Sequence, residues 1–138
     1  MNAYFTKNRK RYAEDGVQIG IVRYLRLNGF LLTSTGAGLI KSMKTQMVMR
    51  KLGYAPGTAD IIVWAKNCTL NIECKRPKEM KYSIKTGKMV VANAGGRQSD
   101  TQKQFEEQIT KIPGHHYIVA KDTQEVKKYI EEHGIKPI

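Results

Sequence analysis

Cysteine is scarce in this chain. Cys68 and Cys74 are the only two among 138 residues, and the three histidines do not form a cluster at metal-ligand spacing. This composition excludes a disulfide-rich scaffold, and without a CxxC pair it contains no zinc-finger pattern. We therefore interpret both cysteines as reduced thiols with a structural role.

Long hydrophobic runs are also lacking. The longest apolar stretch, residues 59–65, is interrupted by Asp60 and is much shorter than a membrane span. The first thirty residues do not combine a basic start with an unbroken apolar run, as a signal peptide would. We expect a soluble, cytoplasmic protein with no membrane partner.

Acidic residues are few, with 12 Asp and Glu against 24 Lys and Arg, for a formal net charge of +12. So large a surplus on a small surface attracts polyanions. A merely basic surface and a membrane-surface protein are the alternatives. Nucleic acid is favoured because no segment forms a basic amphipathic helix with a clean apolar face.

Hydrophobic periodicity and turn signals predict a flexible basic arm over residues 1–12 and one domain over residues 13–138. Within the domain the predicted elements are a helix at 14–28, a strand at 30–34, a short helix at 39–52, strands at 60–65 and 69–75, a small hairpin at 81–92, a helix at 99–111, a strand at 116–120 and a helix at 123–133. This order predicts an α/β fold with a mixed sheet flanked by helices.

The central pair of strands carries the candidate chemistry. If Lys66 and Asn67 form a two-residue turn, Asp60 lies opposite Glu73, and Lys75 shares their face. Apolar residues occupy the opposite face and would form the core. A three-residue loop would break this pairing, whereas a four-residue loop centred on the same place would keep it.

Two opposed carboxylates repel each other, so a cation is expected between them. Mg²⁺ takes oxygen ligands from one or two carboxylates, and we predict Asp60, Glu73 and the backbone carbonyl of Cys74 as its ligands. Lys75 would orient or deprotonate the attacking water and offset charge in the transition state. The alternative is an ordinary Glu–Lys pair on a solvated strand.

The segments Gly57-Thr-Ala-Asp60 and Glu73-Cys-Lys75 together resemble the signature of the PD-(D/E)XK nucleases. The surrounding order is similar to the virus-type replication-repair nuclease branch, VRR-NUC. That branch has a Glu in an early helix and a Gln at the start of a later one, which correspond here to Glu14, followed by Gln18, and to Gln102. The resemblance extends from about residue 14 to residue 120.

The resemblance implies a restriction-endonuclease-like fold with an αβββαβ core. It also implies hydrolysis of DNA by a Mg²⁺- or Mn²⁺-dependent, structure-selective endonuclease similar to Holliday-junction resolvases, acting as a homodimer on branched or flapped DNA. A bacterial host cell and a phage or prophage origin fit a compact member of this branch. Asp60, Glu73, Lys75 and Gln102 become the expected catalytic residues, with Glu14 as a further metal ligand.

Two of these residues have structural alternatives. Glu14 is favourable to a helix dipole in a first turn, and Gln102 completes a capping box with Ser99. The chain also departs from the branch: Ala59 occupies the usual Pro position before the Asp, and the segment 78–97 is longer than usual.

Basic residues in and near the long segment are the candidate nucleic-acid contacts: Lys78, Lys81, Lys85, Lys88 and Arg97. Two rival functions remain open. A non-catalytic module would bind nucleic acid equally with and without Mg²⁺. A sequence-specific restriction endonuclease would cut plasmid DNA into discrete fragments.

Overall fold

The computed structural model describes residues 9–40 and 42–138. The helices are α1 (Arg9–Leu27), α2 (Met43–Lys51), α3 (Asp100–Thr110) and α4 (Thr123–Glu132), with a short 3₁₀ turn at Ala37–Leu39. The strands are β1 (Leu31–Ser34), β2 (Ile61–Ala65), β3 (Cys68–Cys74), β4 (Glu79–Ser83), β5 (Lys88–Asn93) and β6 (His115–Ala120).

Four strands form the central sheet in the order β1-β2-β3-β6. The first three are antiparallel, and β6 joins β3 in parallel, so the sheet is mixed. Ile61 pairs with Ile72 and Ala65 with Cys68, the register expected for a two-residue turn. Asn67 in that turn has a φ of 63°, which asparagine tolerates better than most residues. The predicted hairpin register and the mixed α/β fold are confirmed.

One face of the sheet forms the main core. Helices α1 and α4 cover it, and their apolar residues, spaced at about one turn, are Ile21, Leu25, Val126 and Ile130. They pack on alternate strand residues that are also buried: Ile61, Val63, Leu70, Ile72 and Cys74. Each large aliphatic side chain buried in this way contributes about 1.5–3 kcal/mol. The apolar side of the β2–β3 hairpin is thus buried as predicted.

The opposite face of the sheet carries polar groups under helix α3. Phe105 of this helix contacts the ring of Tyr117 on β6, with the ring centroids 6.2 Å apart. Asn71 is buried beside Tyr117 and donates its amide to the carbonyl of His116. The C-terminal half of β3 is therefore covered on both faces, so polar side chains there lie in a partly dry environment.

Two parts of the chain differ from expectation. Residues 9–12 of the predicted basic arm are part of helix α1, and residues 1–8 of that arm lie outside the described residues. The segment predicted as one helix over residues 39–52 contains α2, and its first residue, Leu39, is the last residue of the 3₁₀ turn. Helix α2 begins after Ser42, whose hydroxyl accepts from the Thr45 N–H.

The order α1-β1-β2-β3-α3-β6 matches the expected αβββαβ sequence of elements. Two additions interrupt it: α2 lies between β1 and β2, and the β4–β5 hairpin, a separate two-stranded sheet, lies between β3 and α3. Among the described residues, no helix is long and apolar enough to cross a membrane.

Candidate active site

Asp60 precedes the first residue of β2 and is held at both its backbone and its side chain. Its carbonyl accepts a 2.9 Å bond from the Thr35 N–H at the end of β1. Its Oδ2 accepts a 2.8 Å bond from the Cys74 N–H on β3. The carboxylate is therefore directed toward the end of β3, where Glu73 and Lys75 lie.

Glu73 and Lys75 are two residues apart and share one face of the sheet. Lys75 Nζ lies 3.4 Å from Glu73 Oε1, and the two side chains are 11% and 3% exposed. The Gln102 side chain donates a 2.6 Å bond from Nε2 to the same Glu73 oxygen. These contacts bring together the four residues that the sequence predicts as catalytic, and the burial argues against an ordinary solvated ion pair.

The second oxygen of Glu73 lacks a donor. Oε2 is buried and has no hydrogen-bond partner among the described residues. Burial, followed by the nearby Asp60 charge, raises the pKa of Glu73 from 4.5 to about 8. Burial also raises the pKa of Asp60, although the Cys74 N–H, Glu73 and Lys75 act against the rise. The two carboxyl groups lie within reach of a shared proton, and ionising both leaves a negative charge that Lys75 alone does not neutralise.

This donor set suits a hard divalent cation. An orphaned carboxylate oxygen beside a second carboxylate is where Mg²⁺ or Mn²⁺ would replace the shared proton. The N–H and C=O of a strand residue point to the same side, so the Cys74 carbonyl faces the β2 edge where Asp60 lies. The described residues contain no group of three or more His, Cys, Asp or Glu side chains able to hold a metal. Two carboxylates and a carbonyl fit Mg²⁺, which keeps several water ligands.

Gln102 serves two contacts at once. Its Oε1 accepts a 2.8 Å bond from the Ser99 N–H, and its own N–H donates to the Ser99 hydroxyl at 3.2 Å, forming a complete capping box. Its Nε2 remains available for Glu73. The capping and site roles proposed for Gln102 are thus compatible, because they use different atoms of the amide.

Gly57 joins the loop before Asp60 to the first turn of α3, a contact that sequence reasoning missed. A Cβ at this position would collide with the backbone of Thr101, and the φ of 86° already favours glycine. The glycine of the Gly-x-x-Asp motif therefore permits the close approach that brings Asp60 and Gln102 to one site. The glycine in the motif indicates that something packs closely there, but the sequence does not indicate that Thr101 is what it contacts.

Gly95 and Gly96, predicted as a flexible exit from the hairpin, fold back against β3. The Gly96 N–H donates to the Arg76 carbonyl at 3.1 Å, and the Gly96 Cα lies over the Lys75 side chain. A Cβ on Gly96 would lie 3.2 Å from Glu14 Oε1 and 3.2 Å from Lys75 Cδ. Glu14 is thus beside Lys75, outside any three-carboxylate group, and its role as a metal ligand stays a prediction.

A groove of about 630 Å³ runs between α1 and the loop after β1, with Asp60 at its border. Gln18 lies in it and contacts the Ser34 hydroxyl at 3.4 Å. Arg23 and Arg26 line it as exposed cations, and Ile19 adds an apolar surface. The groove is a second feature that the sequence did not indicate, because its walls come from separate elements, helix α1 and the loop after β1.

The five predicted nucleic-acid contacts are all exposed: Lys78, Lys81, Lys85, Lys88 and Arg97. Lys81 and Lys88 share one face of the β4–β5 hairpin, because Lys88 pairs with Ser83.

His116 and His133 lie away from the carboxylates, beside Tyr129 of α4. His116 Nδ1 is 2.8 Å from the Tyr129 hydroxyl, and the His133 ring stacks on the Tyr129 ring.

No family model, no curated protein and no solved structure matches this chain.

Proposed function

We propose that this chain is a metal-dependent nuclease that hydrolyses DNA phosphodiester bonds, with Mg²⁺ or Mn²⁺ held by Asp60, Glu73 and the Cys74 carbonyl. One observation carries the proposal: two carboxylates and a lysine converge in a half-dry corner, where one buried carboxylate oxygen has no donor among the residues that the structure describes. A cation and a phosphate are the complementary charges for such a group.

The side chains would divide the work. Lys75 is close enough to the carboxylates to bring its ammonium to a bound phosphate and to stabilise the charge that develops there. Gln102 holds Glu73 in one orientation, and the Cys74 N–H does the same for Asp60. When bound, the divalent ion supplies Lewis-acid polarisation of the phosphate and a more acidic water.

The net charge of +12 and the groove beside Asp60 support a nucleic-acid substrate. Arg23 and Arg26 line that groove, where they would meet successive phosphates of a strand that leads to the site. We propose a structure-selective endonuclease similar to Holliday-junction resolvases, acting as a homodimer in the cytoplasm of a bacterial cell, with a phage or prophage origin.

The decisive experiment is a cleavage panel of linear, flapped and four-way DNA of one sequence. The expected result is cutting in Mg²⁺ or Mn²⁺, none in chelator, and faster cutting of the flapped or four-way DNA. Asp60→Ala should abolish cutting and retain binding. Asp122→Ala is the matched control, because Asp122 caps α4 and lies outside the site.

Three results would contradict parts of this proposal. Equal binding with and without Mg²⁺, with no product, would identify a non-catalytic binding module. Discrete fragments from plasmid DNA would favour a sequence-specific restriction endonuclease. A monomeric mass by light scattering at the assay concentration would refute the homodimer.

A further inference from the structure

The β4–β5 hairpin is built differently from the rest of the protein. Its two strands pair with each other and join no other strand of the described chain. An isolated two-stranded hairpin is only marginally stable in water, and proteins stabilise one by packing a face against something. We therefore expect a binding partner to stabilise the hairpin.

The hairpin has one apolar face that solvent reaches. Met80 pairs with Val91 and Tyr82 with Met89, so these four side chains lie on the same face, and all are exposed. At the tip, Ile84 opens the turn and is 93% exposed. A lone exposed isoleucine carries little information, but five exposed apolar residues on one ribbon form a patch.

The positive charge of the hairpin favours nucleic acid as the partner. The hairpin, residues 79–93, contains three lysines, Lys81, Lys85 and Lys88, and one acidic residue, Glu79, which begins β4 at the end far from the tip. All three lysines are exposed, with Lys85 next to Ile84. Lys81 and Lys88 lie on the face of the ribbon opposite the apolar side chains. An apolar tip on a ribbon that also carries cations matches nucleic acid, because nucleic acid combines stacked bases with phosphates. Proteins that kink DNA insert Ile, Leu, Met or Phe between base steps.

We propose that the β4–β5 hairpin enters branched DNA and inserts Ile84 between bases at the branch point, while Lys81, Lys85 and Lys88 hold the flanking phosphates. A two-stranded ribbon fits a DNA groove. Unstacking is least costly where pairing is already interrupted, so the insertion selects flaps and junctions over continuous duplex. This inference rests on the proposed DNA substrate and names the residue that recognises its structure.

The base of the hairpin lies against the active site, since Gly96 covers Lys75 and contacts the Arg76 carbonyl. Strand β4 has five residues and rises about 17 Å, so the tip of the hairpin lies about 17 Å from the end of the hairpin near Lys75. This is the length of roughly five base-pair steps of 3.4 Å. The hairpin would thus set the distance between the branch point and the cut.

The test uses the full chain carrying Asp60→Ala, which is expected to bind without cutting. A flapped duplex carries 2-aminopurine beside the branch point, and its fluorescence rises when that base unstacks. The expected result is a several-fold smaller rise for Ile84→Ser than for the parent, and an unchanged rise for Ile84→Leu. Met47→Ser is the control, since Met47 is an exposed apolar residue of α2.

An equal fluorescence rise for the Ile84→Ser variant and its parent would overturn the inference. A change in the oligomeric mass of the Ile84→Ser variant in solution would also overturn it, because the tip would then contact a second copy of the chain. Loss of binding to anionic vesicles without loss of unstacking would overturn it as well, because the tip would then contact a lipid surface. The readout does not depend on turnover. Unstacking without cleavage in the unmodified chain would refute the proposed nuclease activity and leave the proposed Ile84 contact in place. Cleavage without unstacking would refute the Ile84 contact and leave the nuclease activity in place.

Discussion

The acidic corner, which consists of Asp60, Glu73, Lys75 and Gln102, is built differently from the β4–β5 hairpin, although the hairpin follows Lys75 closely in the chain. In the corner, Asp60 precedes β2, Glu73 lies on β3 and Gln102 lies on α3. Asp60 and Glu73 each accept a hydrogen bond from another element, and Gln102 accepts one from the Ser99 N–H at the start of its own helix. In the hairpin, most of the described side chains are exposed to solvent, and the two strands bond to each other. The difference fits the two proposed roles, because catalysis needs fixed geometry and burial whereas contact with a large substrate needs exposed side chains.

The largest expected effect is in the corner. Lys75→Ala removes the ammonium 3.4 Å from Glu73 and should lower kcat by about 10²–10³-fold, the usual loss for a group that stabilises transition-state charge. The KM for DNA should change little, because one cation among many is lost from binding. Single-turnover cleavage and a binding titration measure the two quantities.

Lys111→Ala is the matched control for that prediction. Lys111 pairs with Glu107 at 3.7 Å on an exposed surface of α3, where an ion pair contributes little. If both variants lose activity equally, the corner has no special role and the comparison fails.

A second prediction concerns pH and metal. The pKa of Glu73 is raised from 4.5 to about 8, so the folded protein holds this proton more tightly than the unfolded chain does. The stability from this group is present below about pH 4.5 and is lost as the pH rises toward about 8. Mg²⁺ competes with the proton, and at a hundredfold excess over its Kd should add about 2.7 kcal/mol.

Thermal denaturation with and without Mg²⁺ checks this prediction. The rise in Tm with Mg²⁺ should be larger at pH 8 than at pH 6. Glu73→Gln should remove both the Mg²⁺ effect and the contribution of this group to the pH dependence. An identical Mg²⁺ effect in Glu73→Gln would show that the ion binds elsewhere.

A third prediction tests how the corner is assembled. Gly57→Ala places a Cβ against the Thr101 backbone at a positive φ, so we expect a loss of about 1–3 kcal/mol in the free energy of unfolding. Gly16→Ala is the control, because no atom lies within 4 Å of its Cβ position inside α1, and it should add about 0.5–1 kcal/mol. Urea denaturation of both variants measures the difference, and losses of equal size would contradict the close contact.

The smallest expected effect belongs to the hairpin. Lys88→Ala removes an exposed cation and should change the free energy of unfolding by less than about 0.5 kcal/mol. It should weaken DNA binding uniformly across sequences and reduce the salt slope of binding by about one. A fall in kcat at saturating DNA would show instead that the hairpin takes part in the chemistry, and the division between the two regions would not hold.

Local pattern was enough to predict the sheet and the corner. Alternation along β2 and β3 and the two-residue turn determine which side chains share a face, so Asp60, Glu73 and Lys75 were found from spacing. The start of α1 was missed because residues 9–12 have no apolar period, although arginine and lysine are good helix formers. Helix existence there is decided by propensity and not by a buried face.

Long-range packing was not predictable from spacing. The Gly57–Thr101 contact joins residues 44 positions apart, and the return of Gly95 and Gly96 to Arg76 depends on how the hairpin leaves the sheet. A glycine pair signals freedom of the backbone, but the sequence does not say whether that freedom is used for mobility or for close packing. The groove beside Asp60 was missed for the same reason.

The Gln102 amide has a consequence for synthesis of the chain. Asp60, Glu73 and Lys75 leave the ribosome well before Gln102, which the capping box of α3 must then set in place. A nascent chain that ends before α3 holds its acidic groups without their fixed orientation. We therefore expect the geometry of the site to be complete only once the last third of the polypeptide has been made, so that a partly synthesised chain would lack the proposed activity.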